Sequence, residues 1–419
     1  MKTIIMKILV LGGGVVGVTT AYHLLKDGHQ VTVIDRQAPA MGGASFGNAG
    51  LIAPGHAYAW ASPNALKTLL QSIIHQDPTF KISLRPDWQL MVWGMKFLRE
   101  CNSAAVIRNG LAKHRLCTFS QQVLGQMVEE TGIQYNRKSG GALYLFRSQE
   151  TLEAGIANLQ PLIENGQKME VLDFTRVAEI DPTLSHMKDR ISGAVLSLTD
   201  ESGNSLLFTK NLWKVCEKMG GNFESDISIE RLEAKGNQIE RVFTNRGERT
   251  ADVYVLCLGS WSPLLVRPLG VRLSVYPVKG YSITIPVESG HTPPTIGGID
   301  EDFKIAYSTL GKQVRLTTMA EFTGYDETHS PKDFEYLLQS AKELFPNAGN
   351  YEKAECWAGL RPMTPDSLPV LDTARHSNLF FNTGHGHMGW TMACGTAQLT
   401  ADLIAKRTPG IPVDHLRLR

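Results

Sequence analysis

Three glycines, Gly12, Gly14 and Gly17, follow the apolar run KILVL and open a helical stretch. Glycine at the first position permits a tight turn. At the second it lets the backbone approach a pyrophosphate, and at the third it lets the helix pack on the strand. The helix start at Val15 and Val16 then offers free N–H groups and a positive dipole end to phosphate oxygens. A second strand, residues 31–34, ends at Asp35 and Arg36. An acid there accepts hydrogen bonds from ribose hydroxyls and disfavours a 2′-phosphate, which points to FAD or NAD rather than NADP. Strand, glycine turn, helix, strand and terminal acid together make this a specific signal, unlike a glycine triplet alone.

A second small-residue loop spans residues 42–50 and includes Ser45, Asn48, Ala49 and Gly50. Small residues let backbone donors reach a bulky planar ligand, a need of an extended FAD rather than of NAD. A plain surface loop is the alternative. Near the other end, WAGLRPMTPD is followed by FNTGHGHMGW and a helix expected over residues 391–405. The glycine-rich turn containing Gly384, His385 and Gly389, with Trp390 and Thr391 behind it, again offers backbone donors and a helix N-terminus, able to stabilise negative charge. Arg361, set between Gly-Leu and Pro, presents a rigid fork for a carboxylate. His385 either caps the turn or touches a ligand ring. Tyr281, on an alternating strand, is a site hydroxyl or a core residue. Trp390 reads as packing and Asp366 as a turn residue.

These groups need elements to position them. Short apolar runs at residues 7–11, 141–146, 193–196 and 252–258 read as buried strands. Residues 276–286 alternate as a half-exposed strand, with 314–319 as its partner. Residues 227–233 and 238–244 read as a hairpin, and 206–219 and 333–344 as helices. Residues 65–126 read as mainly helical. The apolar segment WQLMVWGMKFL at 88–98 reads as a buried helix, with a bilayer or partner surface as the alternative.

The chain has 419 residues, which suggests two domains. The nucleotide-type features sit at both ends and near 250–261. The expected division is therefore discontinuous: 1–65, 186–262 and 355–419 for cofactor binding, 66–185 and 263–354 for the substrate. The net charge of +1 leaves no basis for nucleic-acid binding. The six cysteines include no CxxC pair, and the histidines show no HExxH. Both facts argue against a metal site or a disulfide framework and fit a reducing cytoplasm. No apolar run reaches the length of a membrane span.

The segments LGGGVVGVTTAYHLLKDGHQVTVIDR, GNAGLIAPG, YPVKGYSITIP, WAGLRPMTPD and NTGHGHMGWTMACG span nearly the whole chain. On them the chain resembles the FAD-dependent D-amino-acid oxidase superfamily, and within it the bacterial D-amino-acid dehydrogenase small subunit. The resemblance implies an α/β fold: a Rossmann-like FAD-binding domain interleaved with an antiparallel-sheet, α+β substrate domain. It implies that Gly12, Gly14 and Gly17 hold the FAD pyrophosphate and Asp35 the adenosine ribose, with Gly259 near the adenosine half. Ser45, Asn48, Ala49 and Gly50 would line the ribityl and isoalloxazine side. Gly384, His385, Gly389, Trp390 and Thr391 would lie along the ring.

Arg361 matches the arginine that relatives such as glycine oxidase use for the substrate carboxylate; Tyr281 is the weaker candidate. The implied reaction is oxidative deamination of a D-amino acid by hydride transfer to flavin N5, with a quinone-type electron acceptor. An oxygen-using glycine or sarcosine oxidase, a D-proline or D-hydroxyproline dehydrogenase, and a non-catalytic FAD-binding subunit are the alternatives. Peripheral contact with the inner face of the cell membrane and self-association stay open. Two departures stand out. His387 replaces a basic arginine of glycine oxidase, and Gly47 stands where the branch has Ala. The turn carries no Cys, so the flavin is expected to be non-covalent.

Overall fold

The computed structural model describes residues 5–39, 41–63, 79–82, 86–373 and 375–418. Two large sheets among these residues carry the architecture, and the fold is of the α/β class expected. The first is six-stranded, in the order Asn222–Glu224, Gln30–Ile34, Lys7–Leu11, Val253–Leu256, Leu379–Thr383, Val370–Thr373. Its strands are parallel except for the last pair. Such a sheet is covered on both faces, which is why its central strands, Lys7–Leu11 and Val253–Leu256, are apolar nearly throughout. The helix Val15–Lys26 packs on it beside the final helix, Gly389–Ile404. Gly28, at φ +86°, lets the chain turn back after the first helix.

The second sheet has nine strands and is mainly antiparallel. At one edge Tyr276–Pro286 pairs with the edge strand Glu355–Met363 on one side and with Gln313–Phe322 on the other. The strand Tyr276–Pro286 has the expected bounds. It is not half-exposed, however: every residue from Tyr276 to Ile285 is buried. Its sheet is covered on one face by the helix Glu335–Leu344 and on the other meets the Trp88–Glu100 helix. The strands Ala142–Phe146 and Gly193–Ser197, the helix Ser205–Lys218 and the hairpin of Ile229–Lys235 with Gln238–Thr244 lie where the periodicity places them.

The Trp88–Glu100 helix corrects a reading. Only Trp93 is buried, its indole Nε1 donating to the Met363 carbonyl at 2.9 Å. Trp88, Met91, Met95 and Leu98 are exposed, with Trp88 at 67%. The apolar run is amphipathic in space: one face closes the interior and the other meets solvent. Part of the helical stretch expected over 65–126 lies outside the described residues. The helix Ser103–Thr131 covers its second half.

Candidate functional site

A cavity of about 1180 Å³ runs between the two sheets. That exceeds the roughly 300–1,000 Å³ of ordinary small-ligand sites and suits an extended dinucleotide with a substrate beside it. It is lined by Gly12, Gly14, Val15, Val16, Asp35, Arg36, Ser45, Asn48 and Ala49 from the N-terminal segment. Gly259, Tyr281, Arg361, His385, Gly389, Trp390 and Thr391 line it from the rest of the chain. Gly17, Gly50 and Gly384 do not reach the cavity and act by shaping backbone.

At one end the wall is backbone. Gly12 sits at φ +110°, and a Cβ there would lie 2.7 Å from the Cys257 carbonyl oxygen. A Cβ on Gly17 would collide with the Gly12 carbonyl, so Gly17 lets the helix close down on the turn. Asp35 accepts from Gly13 N at 2.6 Å and from Gln37 N at 2.9 Å. Burial raises its carboxyl above the usual range, partly offset by those donors. The Ser45 hydroxyl accepts from Val15 N at 3.1 Å, which fixes the second small loop against the helix N-terminus. Asn48 Oδ1 accepts from Gly50 N at 2.8 Å, and Arg315 donates to the Phe46 carbonyl at 2.7 Å. Gly50, at φ +85°, completes that turn. The Arg36 guanidinium lies 4.9 Å from the Trp261 ring centroid. Glycines pressed against backbone, a helix N-terminus at the cavity wall and an acid at the strand end are what a dinucleotide requires, and the residues fit FAD.

The other end is built from side chains. Arg361 donates to the Met319 carbonyl at 2.5 Å and to the Thr318 carbonyl at 3.3 Å. Among the described residues no carboxylate lies within 4.0 Å of it, and desolvation pushes its guanidinium down to about 10. A half-buried, desolvated cation without an anion calls for one. Two local features aim it. A Cβ on Gly280, in the neighbouring strand, would collide with the guanidinium, so glycine leaves its room. Met319 sits at φ +70° where the Tyr276–Pro286 and Gln313–Phe322 strands slip register. This bulge turns its carbonyl onto Arg361.

Tyr281 reaches the cavity, but its hydroxyl donates to the Glu321 carboxylate and its ring packs on Phe334. His385 Nε2 shares a 2.9 Å hydrogen bond with Thr396 Oγ1, and burial pushes its imidazole down to about 3, so the ring is neutral. Trp390 packs against Phe208 and Tyr135, centroids 4.7 and 5.9 Å away. Thr391 Oγ1 accepts from Ala53 N at 3.3 Å. Gly384 takes φ +80° in the turn before the last helix.

Sequence reasoning missed several lining residues. Trp357 lies over Gly47 and Gly359, where a Cβ on either would collide with its ring. The loss of a methyl at Gly47 thus makes room for an indole. His387 stacks on Trp60 with centroids 5.1 Å apart, and its Nε2 is buried without a partner. His56, Tyr58 and Glu301 also line the cavity. Of these, His387 stands out in the sequence as a departure and Trp357 opens the WAGLRPMTPD segment, whereas Trp60, His56, Tyr58 and Glu301 carry no motif.

The comparisons with known proteins agree in direction. Residues 7–403 match the family described as DAO, FAD dependent oxidoreductase. D-amino acid dehydrogenase 2 of Mesorhizobium japonicum is 47% identical over 407 residues, covering 97% of this chain and 98% of that protein. D-amino acid dehydrogenase of Agrobacterium fabrum is 40% identical over 413 residues, covering 99% of each. The fold is similar to that of glycine oxidase from Geobacillus kaustophilus, with TM-score 0.74 at 21% identity over 99% and 98% of the two chains. It is also similar to L-proline dehydrogenase from P. horikoshii, with TM-score 0.75 at 20% identity over 99% and 96%.

Proposed function

Since the chain belongs to the DAO family of FAD-dependent oxidoreductases, we propose that it oxidatively deaminates D-amino acids to 2-oxo acids and ammonia and passes the electrons to a quinone-type acceptor. The observation that carries this is Arg361, a half-buried guanidinium in the cavity wall whose hydrogen-bond partners among the described residues are backbone carbonyls.

Bound FAD supplies two-electron, hydride-accepting chemistry at the amino acid's Cα. Gly12, Gly14, Val15 and Val16 would hold its pyrophosphate end, with Gly17 letting the helix close on that turn, and Asp35 with Arg36 the ribose end, with Gly259 close to the adenosine half. Ser45, Asn48, Ala49, His385, Gly389, Trp390 and Thr391 would form the channel along the ribityl chain and ring, with Gly50 and Gly384 shaping the turns that carry them. Arg361 binds the substrate carboxylate, held rigid by the Thr318 and Met319 carbonyls. His385, neutral and tied to Thr396, shapes the turn and moves no proton. Tyr281 bounds the site by packing, since its hydroxyl donates to Glu321 rather than into the cavity. Trp357 and Trp60 wall the cavity and keep water from the reacting carbon until the imino acid forms; hydrolysis then releases ammonia.

The same reading divides the chain. Residues 1–65, 186–262 and 355–419 build the FAD side, and 66–185 and 263–354 the substrate side. The strands Gly193–Ser197 and Glu355–Met363 reach across into the nine-stranded sheet.

The acceptor's approach is placed at the Trp88–Glu100 helix. Leu90, Trp93 and Phe97 line the cavity while Trp88, Met91, Met95 and Leu98 are exposed, as a helix lying on a lipid surface would be. No helix among the described residues is long and apolar enough to cross a membrane. The test is steady-state turnover of D-alanine with a soluble quinone. Ammonia and 2-oxo acid in equal amounts, without hydrogen peroxide, are expected. Peroxide equal to turnover would instead make the protein an oxygen-using oxidase.

A further inference from the structure

The cavity holds a polar cluster that neither FAD binding nor carboxylate binding uses. His56 Nε2 lies 2.9 Å from Glu301 Oε1 and 2.7 Å from the Tyr58 hydroxyl, which lies 3.1 Å from Glu301 Oε2. All three residues line the cavity. The cluster is rigidly backed. Lys113 donates to the Tyr58 carbonyl at 3.1 Å, and Gly55 N donates to Asp200 Oδ1 at 2.9 Å. The Tyr144 ring packs 5.4 Å from the His56 ring while its hydroxyl donates to Asp200. The cluster adjoins the carboxylate end. The His56 ring is 6.3 Å from that of His387, whose imidazole is pushed well down by burial and by the neighbouring Lys113, His56 and Arg361.

Proton accounting shows what the cluster lacks. Burial alone would raise the Glu301 carboxyl, but His56, Lys304 and Tyr58 outweigh it and hold it below its usual range. Glu301 is therefore ionised; it accepts from the Tyr58 hydroxyl and pairs with His56 Nε2. The remaining lone pairs, on Tyr58 and Glu301, can only accept. A ligand group meeting them must bring a donor proton. Charge selects which donor. Lys304 Nζ already lies 3.8 Å from Glu301, and Lys113 is a buried cation with no carboxylate within 4.0 Å among the described residues. A cationic side chain would enter a neighbourhood already rich in positive charge, whereas a hydroxyl adds none.

We propose that His56, Tyr58 and Glu301 form a subsite for a hydroxyl on the substrate's side chain, so that hydroxy-D-amino acids are the preferred substrates. This rests on the amino-acid reading above and goes further by naming the side-chain class.

The test uses the FAD-loaded full chain with a soluble quinone and pairs of equal shape: D-threonine against D-valine, and D-homoserine against D-norvaline. D-2,4-diaminobutyrate serves as the cationic arm. The hydroxyl member is expected to have a kcat/KM at least about tenfold higher, the size of a hydrogen bond to a charged group. Tyr58→Phe and Glu301→Gln should bring that ratio close to one. The ratio is read within one preparation, so a general loss of activity cancels, and flavin absorbance checks that FAD remains bound. Turnover of both members at equal rates, or a preference unchanged in the two variants, overturns the subsite alone. A faster reaction with diaminobutyrate than with D-homoserine overturns the choice of a neutral hydroxyl. No turnover of any D-amino acid overturns the parent reading and this one with it.

Discussion

The two ends of the cavity are made of different material. The end beside the six-stranded sheet is backbone: glycines without room for a methyl, a helix start and one acid. The end beside the nine-stranded sheet is side chains on neighbouring strands: Arg361 over Gly280, braced by a bulge at Met319. A backbone cradle comes from contiguous sequence and serves one invariant ligand. A side-chain pocket draws on distant segments and can change its ligand without changing the fold.

If this contrast holds, damage at the two ends should separate. The largest effect is expected from Gly17→Val, which forces a side chain into the Gly12 carbonyl. Stability should fall by more than about 4 kcal/mol, seen as loss of flavin absorbance per protein together with a lower Tm. Arg361→Ala should leave flavin absorbance intact and lower kcat/KM for a D-amino acid by about 2–5 kcal/mol, roughly 30- to 4,000-fold.

Asp200, behind His56, should report the substrate end through pH. Burial raises its carboxyl to about 6, against the hydrogen bonds that lower it. The folded state thus holds a proton that the unfolded chain has released, and stability falls as pH rises from about 4 to about 6. The fall should be about 3 kcal/mol, and urea unfolding at several pH values should show it flattened in Asp200→Asn. Gly280→Ala, which pushes on the guanidinium, should raise KM about tenfold while FAD binding is kept. The smallest effect is expected from Trp88→Gln with Met95→Gln: weaker partitioning onto lipid vesicles with kcat for a soluble acceptor unchanged.

The same contrast explains what could be read from the sequence. The strand–turn–helix–strand unit and Asp35 were legible because their chemistry lies within about thirty neighbouring residues. Arg361 was legible through its motif. The backing of Arg361 was not, because Gly280, Thr318 and Met319 meet it only through sheet register. His56, Tyr58 and Glu301 escaped for the same reason, since His56 and Tyr58 lie 245 and 243 residues from Glu301. The strand Tyr276–Pro286 misled by its alternation. Its second face is covered as well, and alternation reports side-chain type, not what later packs on it. The Trp88–Glu100 helix misled by apolar content, which cannot tell a buried face from an exposed one.

The central claim, that this cavity holds FAD beside an Arg361-bound D-amino acid, is tested most directly by anaerobic titration of the flavin-loaded protein with D- and L-amino acids. The account predicts that D-amino acids bleach the flavin absorbance, that L-amino acids do not, and that Arg361→Ala shifts the half-bleaching concentration upward. Unbleached flavin across the D-series, or equal bleaching by both enantiomers, would contradict it.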